Sequence, residues 1–436
     1  MSTSPTSERA PVRGSGAAPR GPARTVALVG AEFGWGSGGK LSAVLAALAE
    51  RAPGALHLVG LGSGLGRPLL TGHPVDAWYD LPASPARRDE ALREIVREHA
   101  VVAALVVLDG EWARALEAAG VPTVFVDSLP FLWTDGDRPD LPLDVSVYCA
   151  QRCPELPPEC HGVLGDVREL RWIEGVVAPP EHRLPRHSRH SRHSRPQKAG
   201  PGPYRSALVN LGGLRAPRLA DWSCYPRLVV PPVLAALAGH GVREVHLAGN
   251  LPPETAARLT APTSPAGPAG PAGSGVPQVT VGPLTHGAFL DRLAECDILL
   301  TSPGLTTLLE AGARGVPTVC LPPQNLSQIF NARFHHRAVG AGVRVRWPEG
   351  VCPEDEALAL RTGGEGKALE MIYRAIAETA GAPEAHRTRD TLRQSVGTAL
   401  RAAAAHRAWD GLATALGTGG AGQVADALLS LAGTAH

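Results

Sequence analysis

Short apolar runs alternate with alanine- and leucine-rich stretches along this 436-residue chain, and the alternation occurs twice. The first half predicts strands over 25–29, 56–59, 104–108, 123–126 and 145–148. The second half predicts strands over 207–211, 244–248, 278–281, 298–301 and 318–321. Apolar strands separated by helices indicate parallel sheets that carry helices on both faces. We therefore expect an α/β fold class, with two Rossmann-like, doubly wound parallel-sheet domains that face a shared cleft.

Two low-complexity stretches set the domain boundaries. The run HSRHSRHSRPQKAGPGP over 187–203 is basic and ends in prolines, and APTSPAGPAGPAGSG over 261–275 is rich in proline, alanine and glycine. Neither stretch can bury an apolar face, so both are predicted to be flexible. The predicted organisation is a disordered tail over 1–24, an N-terminal domain over 25–180, a flexible linker over 181–203, a C-terminal domain over 204–350 and terminal helices over 351–436.

The composition argues against several classes of partner. The formal net charge is +1 and only 4% of the residues are aromatic, so neither nucleic acid nor an anionic membrane is expected as the main partner. No signal peptide and no apolar run of membrane-spanning length is evident, and we expect a cytoplasmic protein. The seven cysteines suggest reduced thiols, because the cluster of Cys149, Cys153, Cys160 and His161 matches no standard zinc-ligand spacing.

The segment over 296–331, CDILLTSPGLTTLLEAGARGVPTVCLPPQNLSQIFN, carries the most functional information. It predicts a buried strand, a turn containing Ser302 and Gly304, and a helix whose positive end and backbone N–H groups suit a phosphate. Glu310 lies two turns into that helix, where a carboxylate can accept hydrogen bonds from a ribose. The amides that follow suit a hydroxyl-rich group: Gln324, Asn325 and Gln328. Diphosphate, ribose and sugar in that order describe a nucleotide-sugar.

The glycine-rich segment VGAEFGWGSGGKLS over 29–42 follows the first predicted strand. Gly34, Gly39 and Lys40 have the spacing of a phosphate-binding P-loop, but Leu41 stands where magnesium binding requires Ser or Thr. Lysine occurs only at positions 40, 198 and 367, and Lys40 lies on the predicted strand-to-helix loop, which favours a function for it. A P-loop-like nucleotidase, or a binding protein without catalysis, is therefore one alternative function.

Ligands of doubly wound sheets bind beyond the carboxyl ends of the strands. In the N-terminal half these ends carry the carboxylates Glu32, Asp109 and Asp127, which are candidates for a general base. Asp127 is favoured because it directly follows a predicted buried strand. In the C-terminal half the strand ends carry glycine turns and apolar residues, among them Gly212, Gly213 and Leu284. His286 follows closely and is expected to contact the binding residues and not the ligand itself.

Four motifs resemble the donor domain of GT-B glycosyltransferases, most closely the family 28-like group that contains the peptidoglycan N-acetylglucosaminyltransferase. They are GGL at 212–214, GPL at 282–284, SPGLTTLLE at 302–310 and QNLSQIFNA at 324–332. The resemblance implies that the C-terminal domain binds a UDP-sugar and that the acceptor binds the N-terminal domain. Within the donor site it implies Glu310 on the ribose, the backbone at Leu284 on uracil, the turns at Gly212, Gly213, Ser302 and Gly304 on the diphosphate, and Gln328 on the sugar.

The chain also departs from that family. Lys40 replaces a histidine at the end of the glycine loop, and Ser327 precedes Gln328 where the family often has two glutamines, so acceptor and sugar are both expected to differ. No basic and apolar docking patch is found, which favours a small soluble acceptor. The WGSGGK loop and the VDSLPFLW segment are similar to a narrower group, the cytosylglucuronic acid synthases of nucleoside-antibiotic biosynthesis. Those enzymes join glucuronate from UDP-glucuronate to free cytosine.

Together these resemblances imply an inverting, UDP-sugar-dependent hexosyltransferase whose last helix crosses back to the N-terminal domain. Backbone amides and helix N-termini are expected to stabilise the departing diphosphate, so no cofactor and no obligatory metal is expected. Lys40 is expected to supply positive charge to a phosphate or to a sugar carboxylate. A UDP-sugar epimerase or hydrolase of the same two-lobed fold is a further alternative. The sequence leaves the oligomeric state open.

Overall fold

The structure is a computed structural model that describes residues 23–82, 84–179, 203–213, 223–260, 277–363 and 365–433. The predicted tail over 1–24 lies outside the described residues except for residues 23 and 24, and the predicted linker over 181–203 lies outside them except for residue 203. The second predicted flexible segment, over 261–275, lies wholly outside them.

The first domain is built on a seven-stranded parallel sheet with the order β3-β2-β1-β4-β5-β6-β7. Helices cover both of its faces, so its central strands are almost wholly apolar. In chain order the elements are β1 Arg24–Gly30, α1 Trp35–Arg51, β2 Leu56–Leu61, α2 Arg67–Leu70, β3 Ala77–Tyr79, α3 Pro85–Glu98, β4 Val101–Val107, α4 Gly110–Ala118, β5 Thr123–Asp127, β6 Val147–Gln151, α5 His161–Gly165 and β7 Leu170–Ile173.

The second domain is built on a five-stranded parallel sheet with the order β10-β9-β8-β11-β12. Its last helix, α10, begins at the N-cap Asn325 and ends at Gly340, whose left-handed backbone (φ 69°) stops the helix. In chain order the elements are β8 Ser206–Asn210, α6 Cys224–Gly239, β9 Glu244–Ala248, α7 Pro253–Thr260, β10 Gln278–Gly282, α8 His286–Glu295, β11 Ile298–Thr301, α9 Leu305–Ala313, β12 Thr318–Cys320 and α10 Leu326–Val339.

Both strand orders are those of doubly wound sheets, in which the chain winds outwards from the middle of the sheet in two directions. The chain reverses its winding between β1 and β4 in the first sheet and between β8 and β11 in the second. The predicted fold class is therefore confirmed, and each of the ten predicted strands is present to within a few residues. The sequence pattern does not predict β3 and β7, because both are short edge strands and two residues of β7, Arg171 and Trp172, are exposed.

The terminal helices connect the two domains. They are α11 Glu354–Ala359, α12 Glu365–Gly381, α13 Ala385–Ala405, α14 Gly411–Leu416 and α15 Gly420–Leu431. Helices α12 and α13 pack against α6, whereas α15 returns to the first domain and packs against α1. Val424 and Leu428 of α15 are buried in the same apolar core as Leu41 of α1. The last helix therefore makes the crossing that the family resemblance implies.

An aromatic contact between the loop after β5 and helix α10 holds the two domains together. Phe131, in the loop after β5, is fully buried against Phe330 and Phe334 of α10, with its ring centroid 5.3 Å from each of theirs. The carbonyl of Phe131 accepts a hydrogen bond of 3.2 Å from Nη1 of Arg361. The VDSLPFLW segment thus places an apolar side chain of the first domain in the core of the second.

Replacing Phe131 with Ala is expected to lower the free energy of unfolding by about 3–5 kcal/mol, because it leaves a cavity at the domain contact. Urea unfolding followed by tryptophan fluorescence measures this change. The control is Trp172→Ala, because Trp172 is 41% exposed and its loss should change stability by less than about 1 kcal/mol. A Phe131→Ala protein as stable as the Trp172→Ala protein would show that this contact does not hold the domains together.

Candidate functional site

Each sheet has a reversal point, the place where the chain reverses its winding: between β1 and β4 in the first sheet and between β8 and β11 in the second. Both reversal points open into one cleft between the domains, which contains a cavity of about 260 Å³. Such points are where doubly wound sheets bind their ligands. The loops after β1 and β4 contribute Ala31, Phe33, Gly34 and Leu108 to its wall. The loops after β8 and β11 contribute Leu211, Gly212, Gly213, Ser302 and Gly304. The cleft is therefore the site at which residues of both domains can act on one ligand.

The turn after β8 brings the second domain against the first. Gly212 has a left-handed backbone (φ 71°), which favours glycine, and its N–H donates to Oδ1 of Asn210 at 3.0 Å. A Cβ on Gly213 would lie 2.8 Å from the backbone nitrogen of Trp35, the first residue of α1. Only glycine fits at this position without displacing α1. The structure thus places both predicted glycines in the cleft wall, with Trp35 as their neighbour from the other domain.

The N-terminus of α9 points its unpaired backbone N–H groups at the cleft. The helix follows Gly304, has no acidic residue in its first turn, and presents Leu305, Thr306 and Thr307 to the cavity. The first N–H groups of any helix lack a partner within that helix and carry partial positive charge. Ser302 and Gly304 therefore lie where the sequence predicts them, at a position suited to an anion.

Lys40 lies inside α1 and not on a loop, which corrects its predicted position. Its side chain is buried, and Nζ donates to Oγ1 of Thr306 at 2.8 Å and to the carbonyl of Gly36 at 3.4 Å. Burial lowers the pKa of Lys40 from 10.5 to about 8, against the opposing effect of the Glu310 and Asp127 carboxylates. Lys40 is thus still largely charged at neutral pH and is the only lysine or arginine in the cleft wall within the described ranges.

The P-loop alternative does not fit this geometry. A P-loop wraps its backbone around a phosphate and begins its helix at the Gly-Lys pair. Here α1 begins earlier, at Trp35, so Gly39 and Lys40 belong to its second turn. The glycines instead permit close packing: a Cβ on Gly38 would lie 3.2 Å from Cα of Gly66, and one on Gly39 would lie 3.7 Å from Cγ2 of Thr306.

Glu310 lies at the base of the cleft and forms a buried pair with His286. Oε1 of Glu310 and Nε2 of His286 are 2.6 Å apart, and both side chains are almost fully buried. His286 is the first residue of α8, directly after the N-cap Thr285, and Leu284 lies next to them in the cleft wall. The structure therefore brings Leu284, His286 and Glu310 together, and the contact between His286 and Glu310 is not one that the sequence predicts.

The predicted amide residues line the cleft, but most of their hydrogen bonds are internal. Oε1 of Gln324 accepts from the hydroxyl of Tyr373 at 3.0 Å, and its Nε2 donates to Oγ of Ser302 at 2.8 Å. Asn325 caps α10 by accepting from the N–H of Gln328 at 2.9 Å. Oε1 of Gln328 accepts from the N–H of Gln324 at 2.8 Å. These amides order the loop, and Nε2 of Gln328 remains the amide group best placed to donate to a ligand.

Asp127, the favoured base, is fully buried behind the cleft wall. Its carboxylate accepts from the N–H of Leu129 at 2.7 Å, from Nε1 of Trp133 at 2.8 Å and from the hydroxyl of Tyr148 at 2.9 Å. Burial raises its pKa to about 6 despite these donors. Ser128, Leu129 and Trp133 line the cavity in its place. Asp127 as the base stays a prediction, and its burial and three donors favour a role in orienting Trp133.

The other N-terminal carboxylates also lie away from the cavity. Glu32 is exposed, and its Oε1 accepts from the N–H of Gly64 at 2.7 Å. Asp109 caps α4 by accepting from the N–H of Trp112 at 3.1 Å. Neither residue lines the cleft. The prediction that Glu32 acts in catalysis therefore has no supporting contact in this structure.

Several residues of the cleft wall are not among the predicted site residues. Trp35 and Thr306 lie within the WGSGGK and SPGLTTLLE motifs without being singled out, and Phe289 resembles an ordinary helix position in the sequence. Glu365 and Tyr373 come from α12, one of the predicted terminal helices, and both line the cleft.

No metal site is found within the described residues, where no group of three or more His, Cys, Asp or Glu side chains comes together. Burial raises the pKa of the Cys149, Cys153 and Cys160 thiols to about 12, which disfavours the thiolate that zinc requires. The sequence Asp-Gly-Asp at 135–137 lies on a 3-10 turn outside the cleft.

Among the helices that the structure describes, none has both the length and the apolar character needed to cross a bilayer.

No protein-family model matches the chain, and no curated protein matches it. Solved structures similar to it include MurG of Acinetobacter baumannii, with 14% identity, coverage of 94% of this chain and 100% of that chain, and a TM-score of 0.46. UGT2 of Phytolacca americana, complexed with UDP-2-fluoro-glucose and pterostilbene, has 15% identity, coverage of 90% and 98%, and a TM-score of 0.43. MnaA of S. aureus, solved with UDP, has 11% identity, coverage of 94% and 97%, and a TM-score of 0.49. Likeness this distant does not transfer function to this chain.

Replacing Lys40 with Met is expected to raise the free energy of unfolding at neutral pH by about 1–3 kcal/mol, because burying the ammonium costs free energy in the folded state. The folded-state pKa is about 8, below the unfolded value of 10.5, so the unfolded chain binds more protons between these values. Wild-type stability should therefore rise with pH across this interval and approach that of Lys40→Met near about pH 10. Urea unfolding at both pH values measures the difference.

The matched control for this experiment is Lys367→Met, because Lys367 is exposed on α12. Its replacement should change stability by less than about 0.5 kcal/mol at either pH. If Lys40→Met were less stable than the wild type at neutral pH, Lys40 would be a structural residue whose contacts with Thr306 and Gly36 outweigh its burial.

Proposed function

We propose that the protein is a glycosyltransferase that moves a sugar from a UDP-sugar to a small acceptor. The observation that carries the proposal is the composition of the single cleft on which both reversal points converge. Across it, a buried ammonium (Lys40) and the N-terminus of α9 face each other, and a buried carboxylate (Glu310) lies further along the same helix. Two positive groups followed by a carboxylate suit a diphosphate followed by a ribose.

The diphosphate would bind between α1 and α9. The unpaired N–H groups at the start of α9 and the backbone N–H of Gly213 offer hydrogen bonds, and Lys40 offers a charge. A phosphate near Lys40 would favour the protonated amine and offset the cost of its burial. Because α1 belongs to the first domain and α9 to the second, the ligand would also draw the domains together.

The uridine would lie towards α8. The contact with His286 fixes the Glu310 carboxylate in one orientation. In this orientation Glu310 lines the cleft together with Leu284. A fixed carboxylate can accept hydrogen bonds from the ribose hydroxyls without losing side-chain entropy on binding. The apolar side chains of Leu284 and Phe289 flank this end of the cleft and suit a base.

Transfer would break the bond between the anomeric carbon and the phosphate oxygen, with the electron pair remaining on UDP. Positive groups that are already in place stabilise this developing negative charge without reorganisation. The acceptor would attack from the opposite face of the sugar and lose its proton to a base, which gives inversion. No cofactor is required in this scheme, because the diphosphate is met by Lys40 and by backbone N–H groups.

The narrower proposal is that the donor is UDP-glucuronate and the acceptor is cytosine, as in nucleoside-antibiotic biosynthesis. It rests on the similarity of the WGSGGK and VDSLPFLW segments to cytosylglucuronic acid synthases. Both segments reach the cleft: the first supplies Trp35 and Lys40, and the second supplies Ser128, Leu129 and Trp133. A UDP-sugar epimerase or hydrolase would use the same nucleotide contacts and is distinguished by its products.

The nucleotide contact is tested by Glu310→Ala. Its affinity for UDP is expected to fall about 10- to 100-fold, because the ribose hydroxyls lose a charged hydrogen-bond acceptor. Calorimetry with UDP and with 2′,3′-dideoxy-UDP measures the effect, and the loss should vanish with the second ligand, which has no hydroxyls to bind. The control is Glu378→Ala, an exposed position on α12. Unchanged UDP affinity in Glu310→Ala would contradict the proposed orientation of the nucleotide.

The reaction is tested by incubating the protein with UDP-glucuronate and cytosine and analysing the products by mass spectrometry. We expect free UDP and a product whose mass equals that of cytosine plus a glucuronosyl group. Parallel incubations with UDP-glucose and UDP-N-acetylglucosamine identify the sugar. A change of sugar stereochemistry without an acceptor product would favour an epimerase, and stabilisation by ATP but not by UDP would rule out the proposed function.

A further inference from the structure

Three polar oxygen atoms in the cleft wall are buried without a hydrogen-bond partner in the described part of the chain. They are Oγ of Ser128, Oδ1 of Asn331 and Oε1 of Glu365, and they come from the loop after β5, from α10 and from α12. Buried polar atoms are nearly always paired in folded proteins, so a group of them in one cleft indicates a ligand that pairs them. Glu365 is the only carboxylate of the three.

Glu365 lies where the domains meet. It is the first residue of α12, and a 3-10 turn at Arg361–Gly363 precedes this helix in the chain. That turn packs on the N-terminal domain: Arg361 donates to the carbonyl of Phe131, and the carbonyl of Thr362 would lie 3.1 Å from a Cβ on Gly136. The carboxylate therefore stands close to the loop of the first domain that supplies Ser128, Leu129 and Trp133 to the cleft.

The other side of Glu365 faces the donor-binding residues. Tyr373, two turns further along α12, donates its hydroxyl to Gln324, which in turn contacts Ser302 beside the start of α9. Glu365 and Tyr373 both line the cavity. A group bound against Glu365 would thus lie between the first domain's loop and the proposed sugar position, which is where the acceptor must be.

The charges around Glu365 keep its carboxyl group able to exchange a proton near neutral pH. Burial, and secondly the Asp137 carboxylate on the first domain's loop, raise the pKa of Glu365 to about 7. The other charged or titratable groups that line the cleft are Lys40 on α1, His286 on α8, Glu310 on α9 and Tyr373 on α12 itself. Nζ of Lys40 already donates to Thr306, and the carboxylate of Glu310 already pairs with His286. Among the carboxylates of the cleft wall, Glu365 is therefore the one available to an acceptor.

We propose that Glu365 is the general base of the transfer, accepting the proton of the acceptor's N–H or O–H group through its unpartnered Oε1. The inference rests on the proposed function. In the step, the acceptor atom forms a bond to the anomeric carbon while the bond from that carbon to the phosphate oxygen breaks. The electron pair of the broken bond stays on UDP, and the acceptor's proton passes to Oε1 of Glu365. A base with a pKa near the working pH is the most effective.

Geometry favours Glu365 over the carboxylates of the first domain. Asp127 already accepts three hydrogen bonds and does not line the cavity, so taking a proton would cost it contacts with Trp133 and Tyr148. Glu32 is exposed outside the cleft. Oε1 of Glu365 has no contact to lose, and it is shielded from solvent that would otherwise compete for the proton.

The test compares wild type, Glu365→Gln and Glu370→Gln for release of UDP from UDP-glucuronate, with water alone and with cytosine as acceptor. Glu370 is the control because it lies exposed on the same helix, paired with Arg374. Glu365→Gln should lower turnover by roughly 100-fold or more, whereas Glu370→Gln should leave it unchanged. The wild-type rate should fall as the pH drops below about 7, and this dependence should disappear in Glu365→Gln. Added formate should partly restore Glu365→Ala.

Calorimetry with UDP separates failure of this inference from failure of the proposed function. Glu365→Gln should bind UDP as tightly as the wild type, since Glu365 does not contact the nucleotide. A Glu365→Gln protein that binds UDP and turns over within threefold of wild type overturns the assignment of the base and leaves the glycosyltransferase proposal intact. A wild-type protein that does not bind UDP overturns the proposed function itself.

A second measurement does not depend on the choice of acceptor. The protein is labelled with ¹³C at the glutamate carboxyl carbons and saturated with UDP, and the Glu365 signal is identified by its loss in Glu365→Gln. We expect this signal to titrate near pH 7, the value to which burial raises its pKa. Titration near about 4.3, the ordinary value for glutamate, would overturn the proposal because such a carboxylate is not held in a shielded, unpaired environment.

Discussion

The site depends on one buried charge, the ammonium of Lys40 at the contact between the domains. Helix α1 can approach α9 closely because a glycine, Gly39, faces α9: a Cβ at this position would lie 3.7 Å from Cγ2 of Thr306. The pKa of Lys40 falls to about 8 in this environment, which means that the folded chain tolerates the charge at a cost. A charge kept at such a position is explained best by a ligand that neutralises it, and this is why the neighbouring residues can be interpreted as an anion site.

The fold could be predicted from the sequence because helices cover the strands of doubly wound sheets on both faces. Such strands appear as uninterrupted apolar runs, and β4 is a clear example. The edge strands β3 and β7 escape this pattern because one side of each is partly exposed. The start of α1 also escapes it, since a segment with four glycines has low helix propensity and becomes helical only through packing against α2 and α9.

The site was predictable where function follows from local geometry. Gly212, Gly213, Ser302, Gly304 and Glu310 occupy strand ends or the first turns of a helix, so their place in the cleft follows from the order of elements. The outcome differs for side chains whose partner is distant in sequence. Gln324 bonds with Tyr373, which is 49 residues away, and no pattern around either residue indicates that pairing. The position of Glu365 likewise depends on how α12 packs after the chain has left both sheets.

The two halves of the cleft differ in how well their polar groups are paired, and this difference has a physical consequence. On the proposed donor side Gln324 and Ser302 belong to a connected network with Tyr225 and Tyr373, which holds the turn before α9 in place. Such a site would suit the charge that develops in the proposed transfer, since its dipoles need no reorientation. On the proposed acceptor side, Oγ of Ser128 and Oε1 of Glu365 retain a desolvation cost that only a hydrogen-bond donor can remove. The cleft should therefore discriminate more strongly among acceptors by their N–H and O–H groups than by their apolar surface, because an acceptor without such groups leaves that cost in place.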